Sequence, residues 1–184
     1  MGKKIMLNLG CGNEILKGFI NVDIEGEKQK GFVKADVRDL PFPDNYADYI
    51  LAREVLEHIP LLNIMNVLVE WIRVLKPGGR IVITCPCFSL MAQDFLNAKF
   101  NFKEFYEMAR GFYGCQRSKY DIHLTPITPE FLNYCLQQLP VKGTIKSIPR
   151  GTQPTEYPGY KPQVDHVYRY GVVHVDAIKW EKQS

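Results

Sequence analysis

Two glycines and two aspartates have the residue types and spacing of a nucleoside-binding site. Gly10 and Gly12 follow a short apolar run, and such a glycine turn lets the backbone approach a ligand closely while leaving amide donors free. Asp23 and Asp36 end two further short runs. In a doubly wound sheet these positions open onto one crevice, where aspartates can accept ribose hydroxyls or an adenine amino group. The pattern therefore predicts a crevice for a ligand that contains a nucleoside.

The same residues argue against a nicotinamide dinucleotide. Ile15 stands where the G-x-G-x-x-G fingerprint requires its third glycine. Asp23 follows Gly12 by 11 residues, whereas that fingerprint places its acidic residue about 20 residues on. A pyrophosphate site is therefore poorly supported.

Short strands and one clear helix must position these residues. Apolar runs predict strands over 5–9, 19–24, 32–35, 49–52 and 80–84. Apolar residues three and four positions apart predict an amphipathic helix over 61–75, which Pro77 and the glycines after it end. The order of strand, helix and strand predicts a parallel α/β sheet.

The second half of the chain has a different character. One or two helices are predicted up to Ala109, followed by a glycine-rich loop over 111–114. Thr128 as N-cap, with Pro129 at the first position, predicts a helix over 130–138. Two final strands are predicted over 142–148 and 166–175.

Composition places the chain among ordinary folded domains. Its 184 residues, 46% of them apolar, predict one domain with a real core. The net charge of +3 is too small to indicate a nucleic-acid surface, and the whole excess lies in residues 93–184. The five cysteines are scattered and predict reduced thiols, while the sequence has no signal peptide or apolar membrane span. We therefore expect a cytoplasmic protein with no membrane contact.

Several linked motifs resemble the class I S-adenosylmethionine-dependent methyltransferases. They are LNLGCGN at 7–13, GFINVDI at 18–24, ADVRDLPFPDNYADYI at 35–50, EVLEHI at 54–59 and EWIRVLKPGGRIVI at 70–83. The resemblance implies a Rossmann-like three-layer α/β/α fold, with a seven-stranded, mostly parallel sheet and a last antiparallel strand, as one domain over 1–184. Residues 110–136 further resemble a type 11-like group of small methyltransferases whose acceptors are unknown.

The resemblance implies S-adenosyl-L-methionine as cofactor and S-adenosyl-L-homocysteine as product. Gly10 and Gly12 would face the methionine part, Asp23 the ribose, and Asp36 the adenine. Arg53 stands beside the expected position of the sulfonium, which a cation does not favour, so we expect it to turn outward or to bind an acidic acceptor. The implied cofactor-binding residues are Leu9, Gly10, Cys11, Gly12, Asp23, Ile24, Asp36, Val37 and Arg53.

Methyl transfer requires the acceptor to be positioned and, if the acceptor is a hydroxyl, a proton to be removed. Candidate bases are His123, His58 and Tyr113, and Asp121 could orient the imidazole of His123. Charge-assisted hydrogen bonds to a small hydroxylated or anionic acceptor, possibly a sugar derivative, would come from Arg110, Gln116, Arg117 and Asp121. The segment 86–127 is the expected cover of this acceptor site.

Other interpretations of the second half stay open. The aromatic and basic run over 95–120 favours a helical cover with a solvated face over a nucleic-acid platform. An RNA or protein methyltransferase, or a non-catalytic S-adenosylmethionine-binding protein, is the alternative to small-molecule methylation. No metal site is expected, because the Cys85 and Cys87 spacing does not fit a zinc knuckle. His58 could simply cap or pack against its local turn.

Overall fold

The structure, a computed structural model, describes residues 2, 4–26, 30–97, 101–149, 151–152 and 171–180. Its seven strands form one sheet in the order β3-β2-β1-β4-β5-β7-β6. The first five are parallel, and β7 runs antiparallel to both β5 and β6. The predicted Rossmann-like fold class is confirmed. The strands are β1 (Met6–Leu9), β2 (Ile20–Asp23), β3 (Phe32–Lys34), β4 (Ala47–Arg53), β5 (Leu75–Pro86), β6 (Val141–Ile148) and β7 (Val172–Lys179).

The register of the parallel strands brings their carboxyl ends to one edge. Leu9 at the end of β1 is paired with Val22 of β2 and with Ala52 of β4. Asp23 at the end of β2 is paired with Lys34 at the end of β3. The turns after β1, β2 and β3 therefore meet above the same end of the sheet, as the crevice prediction requires.

The predicted helix over 61–75 is confirmed in position but is shorter than expected. A 3₁₀ turn covers Leu61–Asn63, and helix α1 runs over Ile64–Val74. β5 starts directly at Leu75, and its pairing with β4 jumps from Leu75 to Arg80. The four residues between them, predicted to end the helix, form an interruption inside a longer strand, where Gly78 has a φ of +74°.

The helices of the second half are α2 (Phe88–Asn97), α3 (Phe102–Tyr113) and α4 (Pro129–Gln137). Asn101 and Glu104 form a capping box at the start of α3. The prediction of a loop over 111–114 is wrong for its first part, because α3 continues through a buried Gly111 and ends only at Gly114. The Thr128 cap of α4 is confirmed, since its hydroxyl accepts from Phe131 N at 3.2 Å.

Two apolar clusters fill the two faces of the sheet. The larger packs β-strand residues against α1 and α4 around the fully buried Trp71. The smaller packs Tyr49, Leu51 and Val82 against Leu16 and Phe19 from the connection between β1 and β2.

Two observations bear on the remaining predictions from the sequence. Residues 166–170 of the predicted last strand lie outside the described residues. Among the helices that the structure describes, none has the length and apolar character needed to cross a membrane.

Candidate active site

A cleft of about 920 Å³ lies above the carboxyl ends of β1, β2 and β3. Most of the predicted cofactor residues lie along one wall of the cleft, at the strand ends. The end of α3 and the loop over 114–124 form the opposite wall. The structure thus brings together Gly10, Gly12, Asp23, Ile24, Asp36, Val37, His58, Arg110, Arg117, Asp121 and His123. Of the predicted cofactor residues, Leu9, Cys11 and Arg53 do not line this cleft.

The glycine turn after β1 is shaped by close packing. Gly10 has a φ of +61°, and a Cβ atom there would overlap the side chain of Val55. Gly12 also has a positive φ, of +50°, but a Cβ atom there would meet open space. The backbone N–H of Gly12 donates to Asp23 Oδ2 at 2.7 Å. The turn therefore keeps its backbone exposed to the cleft and is tied to the carboxylate at the end of β2.

Two buried asparagines support this turn from below. Asn8 Nδ2 donates to Asn21 Oδ1 and to the carbonyl of Glu14, both at 2.9 Å. Asn21 Oδ1 also accepts from Leu16 N at 2.8 Å. The sequence analysis missed both asparagines, although an amide inside an apolar strand is a signal, because buried polar groups must find partners.

The predicted adenine side of the cleft is held by α1. Trp71 Nε1 donates to the carbonyl of Val37 at 2.9 Å, and Leu40 N donates to Glu70 Oε1 at 2.8 Å. The carboxylate of Asp36 accepts from Arg38 Nε and Nη2, and these hydrogen bonds hold the pKa of Asp36 below its usual value. Asp36 is therefore ionised and held in a fixed position.

Three predicted cofactor residues support the turn from outside the cleft. Arg53 forms an ion pair with Glu14, so its charge is directed to the turn after β1. Leu9 and Cys11 are buried, and burial raises the pKa of the Cys11 thiol to about 11. Cys11 is thus a neutral packing residue rather than a nucleophile.

The loop after α3 forms a wall across the cleft from the strand ends. Gly114 turns the chain with a φ of +78°, and a Cβ atom there would overlap the carbonyl of Asp121. Gln116 N donates to that same carbonyl at 2.8 Å. Ser118 Oγ reaches across to Glu25 Oε2 at 3.1 Å, which connects the loop to the chain just beyond β2.

The expected orientation of His123 by Asp121 is not what the structure shows. Asp121 Oδ2 accepts from Arg117 Nε at 2.7 Å, because a guanidinium is the stronger partner for a carboxylate. His123 Nδ1 instead bonds to the carbonyl of Gly111 at 2.7 Å. The backbone of α3 therefore orients the imidazole, and Arg117 and Asp121 compensate each other's charge.

His58 and His123 lie together at the inner end of the cleft. Their rings are 4.9 Å apart and nearly perpendicular. Burial, then the neighbouring His58, lowers the pKa of His123 to about 4, and burial also lowers the pKa of His58. Both rings are therefore neutral at neutral pH.

Glu57 stands beside these rings and was missed as a site residue. It is 2% exposed, and neither carboxylate oxygen has a hydrogen-bond partner among the described residues. Burial, together with the charge of Glu54, raises the pKa of Glu57 well above its usual value. The available signal was the adjacent Glu57 and His58 of the EVLEHI motif, which only the fold brings next to His123.

A smaller pocket of about 130 Å³ adjoins the cleft beneath α3. Glu57, His123 and Tyr113 line it, and His123 borders both spaces. Arg110 donates to Cys115 Sγ from Nη2 at 2.9 Å, so its guanidinium is positioned at the wall of the cleft. The predicted acceptor residue Gln116 is exposed and lines neither space.

Known methyltransferases resemble this chain in sequence and in fold. The family described as "Methyltransferase domain" matches residues 11–83. Demethylmenaquinone methyltransferase of Anoxybacillus flavithermus is 37% identical over 76 residues, which are 39% of this chain and 31% of that protein. The chain aligns with about a third or less of the length of the curated relatives it matches.

Solved structures resemble the chain over nearly its whole length. A SAM-dependent methyltransferase from Archaeoglobus fulgidus has a TM-score of 0.61 at 18% identity, covering 97% of this chain and 87% of that one. The Burkholderia thailandensis 1,6-didemethyltoxoflavin-N1-methyltransferase, solved with S-adenosylhomocysteine and its acceptor, has a TM-score of 0.57 at 13% identity, covering 97% and 72%. The matched segment and the shared fold make this chain similar to S-adenosylmethionine-dependent methyltransferases.

Proposed function

We propose that the chain binds S-adenosylmethionine in the cleft above β1, β2 and β3 and transfers its methyl group to a small acceptor. The observation that carries this proposal is the joint placement of Gly10, Gly12, Asp23 and Asp36 along one wall of a cleft of about 920 Å³. A family match over residues 11–83, which contain three of these four residues, supports it.

The residues of the cleft fit this cofactor. The backbone of Gly12 can approach the methionine part closely, because the space that a Cβ atom would fill there is open. Gly10 lets the turn pack against Val55, which leaves no room for a Cβ atom. Asp23 would accept the ribose hydroxyls, and Asp36 with Val37 would bind the adenine. Ile24 adds apolar contact at the cleft wall. The remaining predicted cofactor residues would support the turn and β1 from outside the cleft; they are Leu9, Cys11 and Arg53.

Arg53 has a role that fits the positive charge of the cofactor. Its guanidinium pairs with Glu14, so the cation is neutralised outside the cleft. A positively charged sulfur can then bind without facing an uncompensated arginine. The outward orientation expected from the sequence is the one this ion pair favours.

The segment 86–127 would cover the acceptor within a single domain over 1–184. It supplies α3 and the wall of the cleft, with Arg110, Arg117 and Asp121 on the cleft side. Gln116 is exposed beside them and could reach an acceptor at the cleft mouth. This mixture of charged groups and hydrogen-bonding groups suits a small hydroxylated or anionic acceptor, including a sugar derivative.

When bound, S-adenosylmethionine supplies a methyl group on a positively charged sulfur; its transfer to a hydroxyl forms a C–O bond, leaves the C–S electron pair on sulfur and releases one proton. His123, His58 and Tyr113 are the candidate groups to receive that proton. His123 is the best placed of the three, because it is neutral and borders both the cleft and the smaller pocket. A carbonyl accepts hydrogen bonds but cannot donate them, so Nδ1 of His123 carries the hydrogen.

The experiment that tests this function measures release of S-adenosylhomocysteine from the purified protein with separate panels of sugars, small acids, RNA and protein. We expect turnover with a small acceptor and none with Asp23→Ala. Turnover with RNA or protein alone would replace the small-acceptor proposal. Cofactor binding with no turnover in any panel would leave a binding protein rather than an enzyme.

A further inference from the structure

We propose that Glu57, His58 and His123 form a binding site for one divalent transition-metal ion at the inner end of the cleft. One ligand atom from each residue lies within 4.8 Å of the other two. A bound ion with bonds of about 2.1 Å brings its ligands to about 3–3.5 Å from one another. Small rotations of three side chains are therefore enough to close the site.

Backbone carbonyls hold both imidazoles through Nδ1 and leave Nε2 available as a ligand. His58 Nδ1 bonds to the carbonyl of Ile122 at 3.1 Å, and His123 Nδ1 bonds to the carbonyl of Gly111 at 2.7 Å. Because a carbonyl only accepts, Nδ1 carries the hydrogen in both rings, and Nε2 retains its lone pair. A backbone carbonyl on the second ring nitrogen is the usual support of a metal-binding histidine.

Glu57 supplies the third ligand and the strongest reason for a cation. Its carboxylate is 2% exposed, and both oxygens lack a hydrogen-bond partner within the described part of the chain. An isolated buried carboxylate is costly unless it is protonated or meets a positive charge. A divalent ion would provide that charge to the two carboxylate oxygens that have no hydrogen-bond partner among the described residues.

Two imidazoles and one carboxylate define the chemical class of the ion. Imidazole nitrogen favours zinc, iron, cobalt or nickel over magnesium and calcium, which take oxygen ligands. Three protein ligands also leave open positions for a further group. The site therefore fits a catalytic rather than a structural ion.

The catalytic role of this ion rests on the proposed function. His123 borders both the cleft and the smaller pocket, so the ion would lie at the boundary between these two spaces. A divalent charge there lowers the pKa of an acceptor hydroxyl. The two histidines would then act as ligands, and the released proton would pass to solvent or another base.

The test is a titration of the EDTA-treated, dialysed protein with Co²⁺, followed by visible absorption. We expect one equivalent to bind with the bands of nitrogen and oxygen ligands. His123→Ala, His58→Ala and Glu57→Gln should each weaken binding by about 100-fold or more, since loss of a ligand exceeds the effect of losing its support. His174→Gln on β7 is the matched control and should bind as the wild type does.

Three controls keep the result unambiguous. Circular dichroism checks that each variant is folded, and a wild-type spectrum showing imidazole ligands supports the site even if one variant fails to fold. No saturable binding, an unchanged affinity in the folded His58 and His123 variants, or thiolate charge-transfer bands from cysteine ligation would each overturn the proposal. S-adenosylhomocysteine binding is measured separately by calorimetry, so failure of the metal site and failure of the cofactor site are distinguishable.

Discussion

Gly12 donates its backbone N–H to Oδ2 of Asp23 at 2.7 Å, and this hydrogen bond joins the turn after β1 to the carboxylate at the end of β2. The other oxygen, Oδ1, accepts from Glu25 N at 2.9 Å. Each carboxylate oxygen has a further lone pair, so Asp23 can organise its surroundings and still accept ligand hydroxyls. The cleft is therefore organised before any ligand enters it.

The two glycines of this turn should differ in their tolerance of a side chain. Gly12→Ala should lower the free energy of unfolding by about 1–2 kcal/mol, the cost of a positive φ with no new contact. Gly10→Ala should cost more, because its Cβ also overlaps Val55. Urea unfolding of both variants, and of Gly10→Ala with Val55→Ala, measures this. Equal losses for the two glycines, with no recovery from Val55→Ala, would argue against the packing described.

The buried side chain of Asn21 should contribute substantially to the free energy of unfolding. Asn21→Ala removes the acceptor for Leu16 N and for Asn8 Nδ2. Each buried donor without a partner costs about 1–3 kcal/mol, so we expect Asn21→Ala to lower the free energy of unfolding by at least that much in urea. Asn13→Ala, at an exposed position of the same turn, is the control and should change stability by less than about 0.5 kcal/mol. If Asn21→Ala and Asn13→Ala lower the free energy of unfolding equally, the hydrogen bonds of Asn21 do not stabilise the turn.

The fold could be predicted from the sequence because the residues at the strand ends form recognisable local patterns. Apolar runs ending in glycine or aspartate located β1, β2 and β3, and Thr128 with Pro129 located α4. Two arrangements in the site were not accessible in the same way. One is the local pair of Asp121 with Arg117 rather than with His123, and the other is the meeting of Glu57 and His58 with the distant His123. The last three residues meet only because the loop after α3 returns over the sheet, and no local periodicity encodes that return.

The loop around Asp36 and Val37 should lose support at low pH through Glu70. Hydrogen bonds from Arg73, and from Leu40 N, hold the pKa of Glu70 below its usual 4.5. A carboxylate with a lowered folded-state pKa stabilises the fold above its unfolded pKa, and that contribution is lost as the pH falls through the folded pKa. Between about pH 5 and 3, the wild type should therefore lose more stability than Glu70→Gln. Parallel pH curves for the two proteins would contradict this.

The wall of the cleft formed by the loop after α3 should affect binding of the acceptor more than binding of the cofactor. Arg117 has a side chain that is 77% exposed and forms an ion pair with Asp121. Lys119 lines the same wall of the cleft two residues further on. Changing Arg117 and Lys119 to Ala should raise the KM of an anionic acceptor about tenfold, the effect of about 1.4 kcal/mol. The KM of the cofactor should stay within about twofold. Lys103→Ala on α3 is the matched control, and equal effects on both KM values would remove Arg117 and Lys119 from the acceptor site.

The most direct test of the central claim is calorimetric titration of the protein with S-adenosylhomocysteine. We predict saturable binding by the wild type, no detectable binding by Asp23→Ala, and wild-type affinity for Asp39→Ala, which removes an exposed carboxylate outside the cleft. Thermal unfolding of each variant confirms that the fold is intact. Unchanged affinity in a folded Asp23→Ala variant would contradict the assignment of this cleft to the cofactor.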